Sequence, residues 1–321
     1  MRQAGRYMPE YRAIRERHSL LEICRAPDLA TEVTLQPVRR IEVDAAIVFS
    51  DLLLPLEPMG IAFDFIKGEG PAIENPLRSD ADLQRLKRFE PREALQHVLD
   101  TIRQVQRELD GRVPLIGFAG APFTLASYAI EGGHSSSFAH TKALMYGRPA
   151  AWHRLCELLA DVVSDYLVAQ VEAGVDVVQV FDSWVGALNA RDYREFIFPH
   201  TRRIFDTVGR TGVPMIHFGV GTGAILSDLR EAGGDVIGAD WRIPLDEAWT
   251  AIGHDRAIQG NLDPTLLLGP VDRLFAATDD VLARAGGRPG HVFNLGHGIL
   301  PMTPLEHVQA LARYVHQKTK R

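Results

Sequence analysis

Cysteine is scarce: Cys24 and Cys156 are the only two in 321 residues, and they stand in unrelated contexts. Two isolated thiols exclude a disulfide scaffold and fit a reducing compartment. Long hydrophobic runs are missing as well. The most apolar stretches, AAIVFS and DVVQVF, fall far short of the ~20 residues that a bilayer-spanning helix needs, so no membrane association is expected. Basic excess is absent too; the net charge is −6 and no lysine run occurs, which argues against a nucleic-acid partner. The charged N-terminus carries no apolar signal region, so the expected location is the cytoplasm. No low-complexity segment, linker or short repeat divides the chain. With 46% hydrophobic and 24% charged residues, the composition is that of a globular protein able to build one large core or two modest ones.

What the sequence does hold is an unusual beginning. MRQAGRYMPEYRAIRER places arginines at 2, 6, 12, 15 and 17 in a chain that is acidic overall. A solvated helix end is one reading. A site for a ligand with many carboxylates is the other, because guanidinium forks pair with carboxylates bidentately.

Beyond this, short apolar runs rich in β-branched residues recur at 44–50, 113–119, 175–181, 213–218, 235–239, 256–260 and 291–295. They are continuous rather than alternating, as in parallel strands covered on both faces. Helical periodicity fills 93–109 and 150–174, the latter ending on a glycine suited to a C-cap. The last helix is expected to begin at TPLE, with Thr303 as N-cap, Pro304 in the first turn and Glu306 completing a capping box. Repeated strand–helix units over this length predict a (β/α)8 TIM-type barrel or a doubly wound sheet. Seven strands are clear; for an eighth, 61–66 is a candidate that also reads as part of a loop hairpin. Each run stops on small or polar residues, including Ser50-Asp51, Asp182-Ser183, His217 to Gly219, Asp240-Trp241 and Gly296-His297. That pattern favours the barrel, whose C-terminal mouth would collect Asp51, Ser183, His217 and His297 into one cleft.

Individual residues remain ambiguous at this level. Asp51 lies between apolar segments and reads equally as a helix N-cap or as a carboxylate placed to face a developing cation. GFAGAPFTLASYAIEGG (117–133) is rich in small residues and offers the Tyr128 hydroxyl, without Walker spacing. GVGTGAILSDL (219–229) superficially resembles a dinucleotide fingerprint, but a tight strand-to-helix turn is the better reading. Twelve histidines are scattered with no zinc-ligand spacing near cysteine. His297 is the best placed of them. No nucleophile elbow, carboxylate pair or Cys–His arrangement stands out.

Longer motifs carry a resemblance. MRQAGRYMPEYR (1–12), VTLQPVRRIEVDAAIVFSD (33–51), GFAGAPFTLASYAIEGG, QVFDSWVG (179–186), QGNLDP (259–264) and FNLGHGILPMTP (293–304) together resemble the uroporphyrinogen decarboxylase family, in order and over essentially the whole chain. That family usually has a Pro-x-Trp-x segment ahead of its Met-Arg-Gln-Ala-Gly-Arg motif. This sequence begins at the Met of that motif.

The resemblance implies a single (β/α)8 barrel domain over 1–321, with 1–20 forming an N-terminal arm to the cleft at the C-terminal ends of the strands. It also implies a homodimer, and conversion of uroporphyrinogen III to coproporphyrinogen III by loss of four CO2 without metal or organic cofactor. By motif, Asp51, Arg2 and Arg6 would be catalytic. Gln3, Ala4, Tyr11, Arg15, Tyr128, Ser183 and His297 would join them in binding substrate. Two alternatives stand beside this. Related barrels transfer methyl groups with thiolate-held zinc, which the positions of Cys24 and Cys156 in helical patterns disfavour. A non-catalytic tetrapyrrole carrier would have little use for Asp51.

Overall fold

The protein is described by a computed structural model covering residues 3–66 and 70–320. Nine strands occur among these residues: β1 (Ala46–Ile47), β2 (Phe63–Ile66), β3 (Gly70–Ile73), β4 (Leu115–Gly120), β5 (Val177–Asp182), β6 (Met215–Gly219), β7 (Val236–Gly238), β8 (Ala257–Leu262) and β9 (His291–Leu295). Seven of them form one sheet in the order β1-β4-β5-β6-β7-β8-β9, with every neighbouring pair parallel. Parallel neighbours require crossovers, and helices supply them. The longest, Pro149–Ala173, runs 25 residues and ends on Gly174 at φ 115°, a left-handed position that favours glycine.

The sheet is curled into a TIM-barrel-like form. Residues following β1 and residues following β9, at opposite ends of the ladder, line one and the same cavity. The helix layer closes around the gap. Helix Leu305–Thr319 docks on the segment before β1, where Gln309 Nε2 donates to the Arg40 carbonyl at 2.8 Å and His316 Nε2 lies 3.1 Å from the Asp44 carboxylate.

At the outer edge of β1, a side chain stands where a strand would. Ala46 N and Val48 N donate to Pro114 O and Ile116 O of the β4 side. The opposite edge exposes Ala45 O and Ile47 N–H, and the Gln3 amide meets both: Nε2 donates to Ala45 O at 2.7 Å and Oε1 accepts from Ile47 N at 3.0 Å. One amide side chain thus satisfies the two groups that a neighbouring strand would otherwise take.

Element bounds differ from those expected at three places: 44–50, the last helix and 93–109. The run 44–50 is a strand only at Ala46–Ile47, because Phe49 N donates to Thr34 Oγ1 of helix Pro27–Ile41 rather than to a strand. Of the two readings of 61–66, the hairpin holds: Phe63–Ile66 pairs antiparallel with β3, with Phe63 opposite Ile73. The last helix starts at Leu305 with Pro304 at its cap and no side-chain cap bond; Thr303 is buried and Glu306 has no box to complete. The stretch 93–109 is interrupted at Leu95, leaving a short turn of helix, Pro91–Ala94, before Gln96–Leu109. The GVGTG segment is the tight turn expected, leading from β6 through a 3-10 turn into helix Leu226–Ala232.

Candidate active site

A cavity of about 470 Å³ opens at the carboxyl ends of the strands. Its floor is aromatic. Phe118, Phe181 and Phe218 come from β4, β5 and β6, and the ladder places Gly120 beside Phe181 and Phe181 beside Phe218. Shared parity points all three rings inward. They meet edge to face, with centroids 5.6 Å apart for Phe118–Phe181 and 6.0 Å for Phe181–Phe218. Phe65 and Pro71 of the hairpin close one side.

Asp51 stands on the wall of this apolar space. Its Oδ1 accepts the Leu53 N–H at 2.9 Å, just ahead of the 3-10 turn Leu54–Leu56. The two readings of this residue therefore coexist: it caps a turn and lines the cavity. The cap fixes the carboxylate's position, and the apolar surroundings strengthen its electrostatic reach.

Gln3 and Ala4, Tyr128, Ser183 and His297 line the same cavity. The elements that carry Tyr128, Ser183 and His297 are held from behind. Tyr128 sits one turn after Thr124 on helix Pro122–Glu131, and Thr124 Oγ1 donates to Asp182 Oδ1 at 2.9 Å. Asp182 immediately precedes Ser183, so this bond ties the Tyr128 helix to the strand end carrying Ser183. Trp184 N donates to Thr124 Oγ1 at 3.3 Å, and the Trp184 ring lies 5.8 Å from that of Tyr128. Asp182 is fully buried, and desolvation pushes its carboxyl up to about 7. His297 stacks on Trp241 at 6.0 Å and 12°.

Of the remaining expected residues, those that the structure describes fall outside the lining. Arg2 lies outside the described residues. Arg6 is exposed, and its carbonyl accepts Arg12 Nη1 at 2.9 Å. Arg15 Nη1 donates to the His18 carbonyl at 2.6 Å. Tyr11 is buried and reaches the cavity at one remove, its ring 5.7 Å from that of Phe49, which lines it. His217 is a correction: it does not join the cleft. Its Nδ1 lies 3.2 Å from the Leu229 and Gly233 carbonyls behind the sheet, because alternation along β6 turns it away when Phe218 faces in. Burial lowers its pKa to about 4, so the ring is neutral.

The phenylalanine floor escaped the reading of polar motifs. Its signal was present: GFAG, VFDS and HFGV each put a phenylalanine next to the small or polar residue that ends an apolar run.

Among the described residues, no three His, Cys, Asp or Glu side chains come together as a metal-binding group. Cys24 and Cys156 are buried in helices, and desolvation raises both thiols above their ordinary pKa, which disfavours thiolate chemistry. Among the same residues, no helix is long and apolar enough to cross a membrane.

A curled parallel sheet of TIM-barrel-like form, with a carboxylate, a tyrosine and a histidine around an apolar cavity at the strand ends, has the architecture of the barrel enzymes. Comparison makes the assignment specific. Residues 1–318 match the family model for uroporphyrinogen decarboxylase (URO-D), and the chain belongs to that family. Curated relatives include a uroporphyrinogen decarboxylase of Sorangium cellulosum, 57% identical over 98% of this chain and 90% of the relative. Another, from Carboxydothermus hydrogenoformans, is 53% identical over 99% of this chain and 91% of its own length. Among solved structures, a methyltransferase from Methanosarcina mazei superposes with a TM-score of 0.77 at 23% identity, covering 94% of this chain and 88% of its own. At that identity the likeness is one of fold alone.

Proposed function

We propose that this chain removes the carboxyl groups of the four acetate side chains of uroporphyrinogen III, yielding coproporphyrinogen III and four CO2. Family membership over nearly the whole chain supports the reaction. The observation that carries the mechanism is the fixed Asp51 carboxylate beside a floor of three phenylalanine rings.

Loss of CO2 from an acetate needs a sink for the electron pair of the breaking C–C bond. Protonation of the pyrrole carbon next to the acetate-bearing one makes an iminium-like ring. As CO2 departs, the pair moves into that ring, leaving an exocyclic methylene. Protonation of the methylene gives the methyl group, and loss of the first proton from the ring carbon restores the pyrrole. The substrate is its own electron sink, so the chemistry calls for no bound cofactor.

In this reading Asp51 accepts hydrogen bonds from the pyrrole N–H groups at the macrocycle centre and offsets the positive charge that develops. The aromatic floor receives the face of the macrocycle and keeps water away. Tyr128, Ser183 and His297 hold carboxylates, and Arg2 and Arg6 pair with further ones as the substrate enters. A guanidinium holds its protons too firmly to be a good acid, and neutral water holds them more firmly still, so the proton comes from bulk solvent, relayed through a water held at an arginine that ends neutral. The homodimer that the family resemblance implies and the expected cytoplasmic location belong to the same proposal.

The test is anaerobic incubation with uroporphyrinogen III, followed by oxidation and separation of products by carboxylate number. Seven-, six-, five- and four-carboxylate species from the wild type, nearly absent from Asp51→Asn, are expected. Binding without any loss of carboxylate by the wild type refutes the reading.

A further inference from the structure

The loop after β7 holds a built cationic element that the site described above does not use. Asp240 is 2% exposed, and its carboxylate is saturated by donors from two loops. Oδ2 accepts Gly221 N and Arg242 Nη1, each at 2.6 Å, and Oδ1 accepts Arg242 N at 3.0 Å. The Arg242 guanidinium, 52% exposed, is thereby laid over the Trp241 ring at 3.9 Å from the centroid. Trp241 in turn stacks on His297, which lines the cavity. Close approach is built into the chain: a Cβ on Gly296 would stand 2.4 Å from Trp241 N, so only glycine lets the His297 loop lie against this one.

The guanidinium thus lies over the indole, and the indole lies near-parallel to the offset His297 imidazole, on the loop after β7 at the carboxyl ends of the strands. Asp240 binds one edge of the guanidinium and leaves other N–H groups toward solvent. The indole face favours the cation, and the preorganised fork suits a carboxylate.

We propose that Arg242, held by Asp240 and Trp241, binds a side-chain carboxylate of the substrate at the rim beside His297, and so determines affinity for polycarboxylates. This rests on the decarboxylase reading. A substrate with eight carboxylates needs more partners than the cavity's own polar groups supply, and the charge here is fixed before the substrate arrives.

The test compares Arg242→Ala and Arg242→Lys with the wild type in uroporphyrinogen III turnover at several salt concentrations. Arg242→Ala is expected to raise KM about tenfold, as for loss of one charge-assisted hydrogen bond, with kcat within about twofold. The salt dependence of KM should weaken, and lysine should restore much of the affinity. An unchanged KM overturns the proposal. So does a parallel fall in kcat and melting temperature that lysine fails to rescue, since Arg242 would then be only a structural prop. A wild type that turns over no uroporphyrinogen refutes the decarboxylase reading itself, a distinguishable failure.

Discussion

Asp182 provides a sharp quantitative test of the packing behind the site. Its carboxyl is fully buried, Oδ1 accepts from Thr124, and Oδ2 meets no donor among the described residues. Burial raises its pKa from 3.8 to about 7. Linkage fixes the sign. Between those values the unfolded chain has released the proton while the folded protein keeps it, so stability falls as pH rises and then levels off above about 7. At 1.36 kcal/mol per pKa unit, the fall amounts to about 4 kcal/mol.

Asp182→Asn removes the titration and keeps an oxygen to accept from Thr124. It also places amide N–H groups where Oδ2 stands, at a cost of about 1–3 kcal/mol if unpaired. That cost does not depend on pH, so the informative quantity is the stability difference between the two proteins as a function of pH. The comparison also cancels His217 and His200, whose pKa values are lowered to about 4 and whose contributions to stability rise with pH through much of the same window. Urea unfolding at intervals from pH 4.5 to 8.5 measures the difference directly. We expect the asparagine variant to gain on the wild type by several kcal/mol across the range, with most of the change below pH 7. Parallel stability curves would refute the argument, because they would mean that Asp182 is ionised throughout and solvated in a way its burial does not allow.

Further outcomes follow from the same geometry. Asp51→Asn keeps the acceptor for Leu53 N–H, so unfolding stability should stay within about 1 kcal/mol while kcat falls roughly 100- to 1000-fold, as for loss of one preorganised electrostatic group; equal losses in both would assign Asp51 to capping alone. Gln3→Ala strips the partner from Ala45 O and Ile47 N–H and should lower stability by about 1–3 kcal/mol, read by chemical denaturation, with a rise in KM. Gly296→Ala forces a Cβ against Trp241 N and should cost about 1–3 kcal/mol in melting experiments while weakening substrate binding through His297.

Much of this was legible in the sequence. The continuous apolar runs revealed parallel strands, and the polar residues ending them located the mouth. Asp51, Tyr128, Ser183 and His297 came from motifs that span turns between adjacent elements, and the cavity brings them together. What escaped depended on contacts far apart in the chain. Gln3 and the β1 edge it covers are 42 and 44 residues apart, and no local pattern announces the match. The exclusion of His217 turned on parity, which a run such as VPMIHF conceals because both faces of the strand are buried. Thr303 satisfied every local rule for a cap, yet Pro304 occupies the cap position.

The open side of the sheet explains the position of the opening motif. A full strand beside β1 would satisfy the edge but leave no reason for a short polar segment to lie there. Here the segment enters by one side chain, and the next residue, Ala4, lines the cavity. Pinning Gln3 also confines its neighbours. Three residues of chain extend at most about 10 Å, so Arg6, though exposed and outside the lining, stays within reach of the mouth. Before substrate arrives, a guanidinium in water avoids the cost of being buried against apolar walls. In the proposed reading, a substrate carboxylate then pairs with Arg6 without a large search, since pinning Gln3 leaves only a short free segment between them. On the other flank, Arg242 is held by Asp240 and Trp241 rather than by a tether. In the proposed reading the two sides therefore meet a polyanion differently: one with a tethered, solvated charge, the other with a charge already in place.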